Sequence, residues 1–211
     1  MDNNKGKKYF DEVASQWDNL RESFFSESLR NKAIQVAGVI DGKIACDVGA
    51  GSGFITEGLI KGGSKVIAVD YSQEMINEMK KKFFYSDSVD YRVGEAENLP
   101  VETESVDYVF SNMCLHHVEV PSDAIKEMTR ILKTGGKLII TDLDSHNFEF
   151  LQTEQHDRWL GFKREDIKDW FIQAGLSNVK VECANENCCS QSSSSSDYAS
   201  VSIFIASGEK K

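Results

Sequence analysis

This chain is short of three things: proline, positive charge and long apolar runs. Only Pro100 and Pro121 interrupt 211 residues, and no linker divides them, so one domain over 1–211 is expected. Lysine and arginine number 24 against 34 aspartates and glutamates, a formal net charge of -10, while 40% of residues are hydrophobic. Phosphate backbones are recognised by a basic face that this balance does not supply, which argues against a nucleic-acid partner. The run Lys80–Lys82 reads as the solvated face of a helix. No segment has the uncharged apolar length of a bilayer span, and Met1–Lys5 opens without the apolar stretch of a secretory leader. No membrane partner and a cytoplasmic location are therefore expected. Five cysteines form no even disulfide framework, in keeping with a reducing compartment.

What the chain has is a strand pattern that passes straight into closely spaced glycines. Ile44 to Val48 reads as a buried strand, Gly49, Gly51 and Gly53 follow at alternate positions, and a helical pattern comes next. Glycines at such a place let the backbone turn tightly and approach a ligand with no Cβ in the way, and their amides are expected to face it. Some way on, Val66 to Asp70 ends a second apolar run in a carboxylate, where ribose hydroxyls are held in nucleoside-binding sheets. The spacing G-x-G-x-G, preceded by Asp47, departs from the G-x-G-x-x-G of dinucleotide sites, because Phe54 stands where that pattern has glycine. No Lys-Ser or Lys-Thr pair closes the loop, as a triphosphate-binding loop requires.

Elsewhere helix and strand patterns alternate. Two helices are expected before the sheet, from Lys8 to Asp18 and on to Ala37. Then come a helix over Thr56–Gly62, a strand over Lys65–Asp70, a helix over Gln73–Phe84 capped by Ser72, and a strand over Val89–Val93. A fourth strand at Val106–Phe110, a helix over Ser122–Lys133 stopped by Gly135-Gly136, and a fifth strand at Lys137–Thr141 follow. A last helix, Arg164–Ala174, precedes a closing antiparallel pair at Val179–Glu182 and Val201–Ala206. This order implies an α/β, doubly wound, Rossmann-like sheet of seven mostly parallel strands with an antiparallel last strand. Residues 1–42 would form the N-terminal helices, 43–141 the ligand-binding core, and 142–211 the substrate-side helices and closing strands. Between the closing strands, Ser192–Ser196 reads as a disordered hairpin tip.

With Asp47, the glycine loop and Asp70 in place, the chain resembles the class I S-adenosylmethionine-dependent methyltransferases, over about Tyr9 to Thr141. The segment Ser111–Pro121, which contains Cys114-Leu115-His116-His117, resembles the small-molecule members related to the ubiquinone and menaquinone biosynthesis enzymes. The resemblance implies S-adenosylmethionine as cofactor. It would be held by Asp47, Gly49, Ala50, Gly51 and Gly53, by Asp70 at the ribose, and by Asn112. Gly94-Glu95-Ala96 resembles the adenine-binding segment, with Glu95 where the family usually has aspartate and Ala96 contributing its backbone. Tyr71 and Met75 are apolar candidates to cover the adenine or ribose. The resemblance also implies that the amino-terminal helices and Gln155–Phe162 roof a small-molecule acceptor.

The sulfonium makes the cofactor's methyl electrophilic, so alignment and exclusion of water are the main demands, and a base is needed only for acceptors such as a hydroxyl or carbon acid. His117 is the candidate base. The pair His116-His117 does not read as a metal site, since neighbours on an extended chain point opposite ways and no H-x-x-H follows. Cys183, Cys188 and Cys189 match no standard zinc spacing, and the expectation is a strand cysteine and a pair in a hairpin. The alternatives are a soft-ligand site for methylation of a metalloid, a thiol or a corrinoid-bound metal with a matching partner, or a chain that binds the cofactor without turnover.

Overall fold

The structure is a computed structural model that describes residues 3–211, with side chains from Gly6 onward; Met1-Asp2, where the segment read for a leader begins, lies outside the described residues. Three α-helices precede the sheet, rather than two: α1 (Asn3–Val13), α2 (Trp17–Arg21) and α3 (Glu27–Ala37). The chain breaks between α1 and α2 in a 3-10 turn at Ala14–Gln16, and again before Ser26, whose side chain caps α3 by accepting from the Ser28 amide.

Seven strands form one sheet in the order β3-β2-β1-β4-β5-β7-β6. They are β1 (Ile44–Val48), β2 (Lys65–Asp70), β3 (Val89–Val93), β4 (Val106–Asn112), β5 (Leu132–Leu143), β6 (Leu176–Gln191) and β7 (Tyr198–Lys210). The pairs among β1 to β5 are parallel, and β7 runs antiparallel to both β5 and β6. This is the expected doubly wound sheet with its antiparallel last strand. Helices α4 (Phe54–Lys61) and α5 (Gln73–Lys82) join α3 on one face, and α6 (Pro121–Ile131) and α8 (Arg164–Gln173) cover the other. Such two-sided cover explains why β1 is apolar almost throughout, with Ala45, Cys46 and Val48 fully buried. The strand order reverses between β1 and β4, so the crevice opens at their carboxyl ends.

Three local expectations are corrected. Gly135-Gly136 does not stop a helix: α6 ends at Ile131 and β5 begins at Leu132, running through both glycines. A Cβ at Gly136 would stand 3.0 Å from the Asp107 carbonyl, so glycine lets the β5 backbone press against β4. The closing strands are far longer than the short apolar runs suggest, because β6 and β7 pair from Leu176–Lys210 out to Gln191–Tyr198. The serine run is tied down. Ser192 and Ser194 hydroxyls donate to Glu154 Oε1 at 2.7 Å, and the Ser193 amide donates to Oε2 at 2.8 Å. Glu154 ends the short helix α7 (Phe150–Glu154), and the neighbouring Gln155 donates to Ser190 Oγ at 2.6 Å. The hairpin tip thereby braces the segment that follows α7.

Candidate active site

The glycine loop leaves β1 with positive φ at Gly49 (69°), Gly51 (54°) and Gly53 (92°). Its amides do not face the crevice, contrary to expectation. Gly49 and Ala50 donate to the Val69 carbonyl, Gly53 donates to the Ala50 carbonyl, and Gly51 donates to Asp70 Oδ2 at 2.8 Å. The left-handed turns aim the Gly49, Ala50 and Gly51 donors at the end of β2, and of the three glycines Gly51 is the one whose missing side chain leaves space in the cavity. A Cβ at Gly51 would face only Trp17, 3.3 Å away, whereas one at Gly49 would strike the Cys114 thiol. Gly53 is a packing glycine, since a Cβ there would run into Phe83 and Met79 at 2.6 and 2.9 Å.

Asp47 anchors the far side of the loop by accepting from the Thr56 amide and hydroxyl at 2.9 and 2.7 Å. Burial pushes its carboxyl up to about 7, against the pull of those hydrogen bonds. Burial likewise raises Asp70 to about 6, opposed by amides of Ser72 and Gly51. Ser72 caps α5 through the Met75 amide, as expected.

Two cavities meet at Gly49, Tyr71, Cys114 and His117. The inner one, ≈ 70 Å³, is bounded by Asp47, Ala50, Gly51, Asp70, Met75 and Asn112 from the sheet side. Phe10, Trp17 and Arg21 close it from the N-terminal helices, so these helices roof the inner cavity as well as the acceptor side expected for them. Two hydroxyls hold that cover: Ser72 Oγ donates to Asp11 and Ser52 Oγ to Asp18, each at 2.6 Å. Arg21 is buried over the Phe54 ring, and its Nε has no hydrogen-bond partner. The outer cavity, ≈ 990 Å³, runs past Glu95 and Ala96 to Gln152, Thr153, His156, Asp157 and Arg158. Asn112 is oriented by the Thr141 hydroxyl, which donates to its Oδ1 at 2.7 Å.

The histidine pair is arranged otherwise than an extended chain would place it. Leu115–His117 is a 3-10 turn, and the two rings stand 4.1 Å apart, centroid to centroid. His116 Nδ1 meets Asp142 Oδ1 at 2.6 Å, and its Nε2 lies 3.7 Å from Asp157 Oδ1. Burial alone would lower the His116 imidazole, but the two carboxylates outweigh it and hold the group up to about 9. His117 is pushed well below the ordinary histidine range by burial and by the His116 charge. It lies edge-on to Phe10, with ring centroids 5.0 Å apart. Asp142, Asp157, Arg21 and Cys114 were not singled out in the sequence. Asp157 and Cys114 carried a signal, through the segments Gln155–Phe162 and Ser111–Pro121.

The three late cysteines do not converge. Cys183 is exposed and accepts from the Asn185 amide. Cys188 packs against the core, and Cys189 faces Ser200 at 3.7 Å. Among the described residues, the one group of side chains spaced to hold an ion is His116, His117 and Asp157.

Strand order and crevice together define a Rossmann-like doubly wound fold with a ligand-sized opening at the strand carboxyl ends. Residues 46–140 match the family described as "Methyltransferase domain". A demethylmenaquinone methyltransferase of Renibacterium salmoninarum is 30% identical over 142 residues, 66% of this chain and 59% of that protein. An uncharacterized methyltransferase of Schizosaccharomyces pombe is 44% identical over 95 residues, 44% of this chain and 36% of its own length. The chain spans from about a fifth to three fifths of the curated relatives it matches. Among solved structures, a chain from the complex of the Haloferax volcanii Trm112 methyltransferase activator with a methyltransferase superposes with TM-score 0.79. Its identity is 19%, with 95% of this chain and 96% of that chain covered. The phosphoethanolamine N-methyltransferase 2 of Haemonchus contortus, solved with S-adenosyl-L-methionine, gives TM-score 0.70 at 20% identity, covering 86% of this chain and 52% of that one.

Proposed function

We propose that this chain transfers the methyl group of S-adenosylmethionine to a small-molecule acceptor. The observation that carries the reading is the meeting of the two cavities at Gly49, Tyr71, Cys114 and His117. One nucleoside laid along Glu95, Asp70 and Gly51 would bring its sulfonium there, with the ≈ 990 Å³ space beyond it for an acceptor. The residues present suit the cofactor. Asp70 offers a carboxylate lone pair to the ribose, Ala96 a backbone amide to the adenine, and Tyr71 and Met75 an apolar wall. The buried guanidinium of Arg21, whose Nε makes no hydrogen bond and lies 3.8 Å from Asp18 Oδ1, suits the carboxylate of the amino-acid end. Asn112 and the surface opened by Gly51 would take the rest of that end.

The cofactor supplies the electrophilic methyl, and the chain's part is orientation and exclusion of water. Phe10, Trp17 and Met75 close the inner cavity against solvent on the helical side. Relatives named for demethylmenaquinone, a quinone, and for 2-methyl-6-phytyl-1,4-hydroquinone support quinone-type rings, the hydroquinone with its ring hydroxyls first, as the class to test. The test is S-adenosylhomocysteine release with panels of hydroquinones, phenols, thiols and amines. Turnover with one class establishes the enzyme. Tight cofactor binding with no turnover on any panel or on a metabolite extract would leave a binding protein instead.

A further inference from the structure

We infer that His116, His117 and Asp157 form a binding site for one divalent transition-metal ion, zinc above all, at the floor of the outer cavity. The ligand atoms are in place. His116 Nε2 and His117 Nδ1 lie 3.7 and 3.9 Å from the same Asp157 oxygen, and all three atoms fall within 4.8 Å of one another. Two ligands about 2.0–2.1 Å from a tetrahedral zinc stand roughly 3.4 Å apart, so each nitrogen has to approach the carboxylate by about half an ångström or less, and the widest pair in the set closes by at most about 1.4 Å.

The shell behind these ligands is also built. Asp142 holds His116 Nδ1 at 2.6 Å, which leaves Nε2 as the coordinating nitrogen, and carboxylate–histidine pairs of this kind orient metal ligands. Asp142 is itself fixed, since its oxygens accept from the Leu115 and Leu143 amides at 2.8 and 2.7 Å. Asp157 comes from a segment about forty residues away in sequence, and that segment is locked onto the histidine turn. The Arg158 and Trp159 amides donate to the His116 carbonyl at 3.0 and 3.1 Å, and the Trp159 indole donates to the Val118 carbonyl at 2.9 Å. The second imidazole faces the same carboxylate oxygen, and its Nδ1 also lies 3.4 Å from the His156 carbonyl, a contact the ion would replace.

Two histidines and one carboxylate leave a coordination position open, the arrangement of catalytic rather than structural zinc. His117 and Asp157 line the outer cavity, so that position faces the acceptor space. Resting on the methyl-transfer reading, the site names the acceptor chemistry: a hydroxyl or thiol. Entering the open position, it gives up its proton to water, and its retained lone pair forms the bond to the methyl carbon as the carbon–sulfonium bond breaks. S-adenosylhomocysteine leaves as the neutral thioether. His117 then serves as a ligand in place of the base expected of it.

The experiment uses the full chain, stripped with a chelator and titrated with zinc chloride by calorimetry, then reloaded with cobalt(II) for visible absorption. One zinc per chain is expected, together with cobalt bands of four-coordinate nitrogen and oxygen ligation. His117→Gln and Asp157→Asn should each weaken zinc binding more than tenfold, and Asp142→Asn about 10- to 100-fold. The two ligand variants sit on separate segments, so a failure of one to fold leaves the other informative. Replacing Cys183, Cys188 and Cys189 by serine should change nothing. No retained zinc, equal affinity in a folded ligand variant, or a thiolate charge-transfer band with cobalt would overturn the site. Undiminished turnover by metal-free protein would overturn its role while leaving methyl transfer intact. Zinc bound as described with no acceptor ever methylated would do the reverse.

Discussion

The Gly51 amide donates to Asp70 Oδ2 at 2.8 Å, so the glycine loop and the acid after the second strand are one device rather than two. Asp70 Oδ1 accepts from the Ser72 amide at 2.9 Å, and the carboxylate therefore sets both the loop and the start of α5. With the Tyr71 amide also on this carboxylate, one lone pair is left for a ribose hydroxyl. Asp70→Asn should lower affinity for S-adenosylhomocysteine by about 1.5–3 kcal/mol, roughly ten- to a hundredfold, by calorimetry. A loss under about threefold would move Asp70 out of the ribose site.

The same group sets a pH dependence. Burial raises Asp70 to about 6, and the ribose contact favours the ionised form. Cofactor affinity should be full above that value and decline as pH falls through it, because the acid must then release its proton to bind. Titrations between pH 5 and 8, a range set roughly around that group, should show this step in the native chain and not in Asp70→Asn.

Arg21 offers a sharper discrimination. Its guanidinium stacks 4.3 Å above the Phe54 ring, so Arg21→Met keeps much of the packing while removing the charge. The variant should bind S-adenosylhomocysteine roughly ten- to a hundredfold more weakly, the loss of a charge-assisted contact. It should bind 5′-methylthioadenosine, which lacks the amino-acid carboxylate, as the native chain does. Equal losses for both ligands would mean that Arg21 acts only through packing.

Gly51 and Gly53 should separate in behaviour. Gly51→Val places a branched side chain in the cavity beside Trp17, and should abolish cofactor binding with the circular dichroism spectrum preserved. Gly53→Ala drives a Cβ into Phe83 and Met79 at positive φ, so it should lower stability by about 1–3 kcal/mol in urea melts. Affinity in the folded Gly53 variant should stay close to native.

Glu154 is expected to hold the hairpin tip. Its carboxylate is kept low, near about 2, by the serine amide and hydroxyls around it, so it is ionised across the working range. Glu154→Ala should speed hydrogen exchange at the Ser193 amide and its neighbours while leaving β1 protected. Unchanged exchange would show that the tip is ordered by the β6–β7 pairing alone.

Most strand positions and the glycine loop could be read directly, because they rest on local rules. A two-sided buried strand is apolar throughout, glycine alone turns freely at positive φ, and Ser72 caps the helix that it directly precedes. Lengths were harder. The ladder of β6 and β7 runs through Asn187 and Ser200, polar residues on an exposed edge that no apolar pattern marks. Gly135-Gly136 reads as a stop, yet backbone crowding against Asp107 makes it part of a strand.

By itself, then, the sequence determined the strand order's likeness to a doubly wound sheet, the glycine loop and the acid opposite it. Tertiary structure alone decided where the loop amides point, which aromatic rings close the inner cavity, and that Arg21 is buried in its wall. It alone brought His116 against Asp142 and Asp157, by the register of β4 on β5 and the docking of the Arg158 and Trp159 amides on the histidine turn. Those contacts join residues 26 or more positions apart. Local pattern constrains neighbours within a turn or a strand, whereas such distant pairs are selected by how whole elements pack.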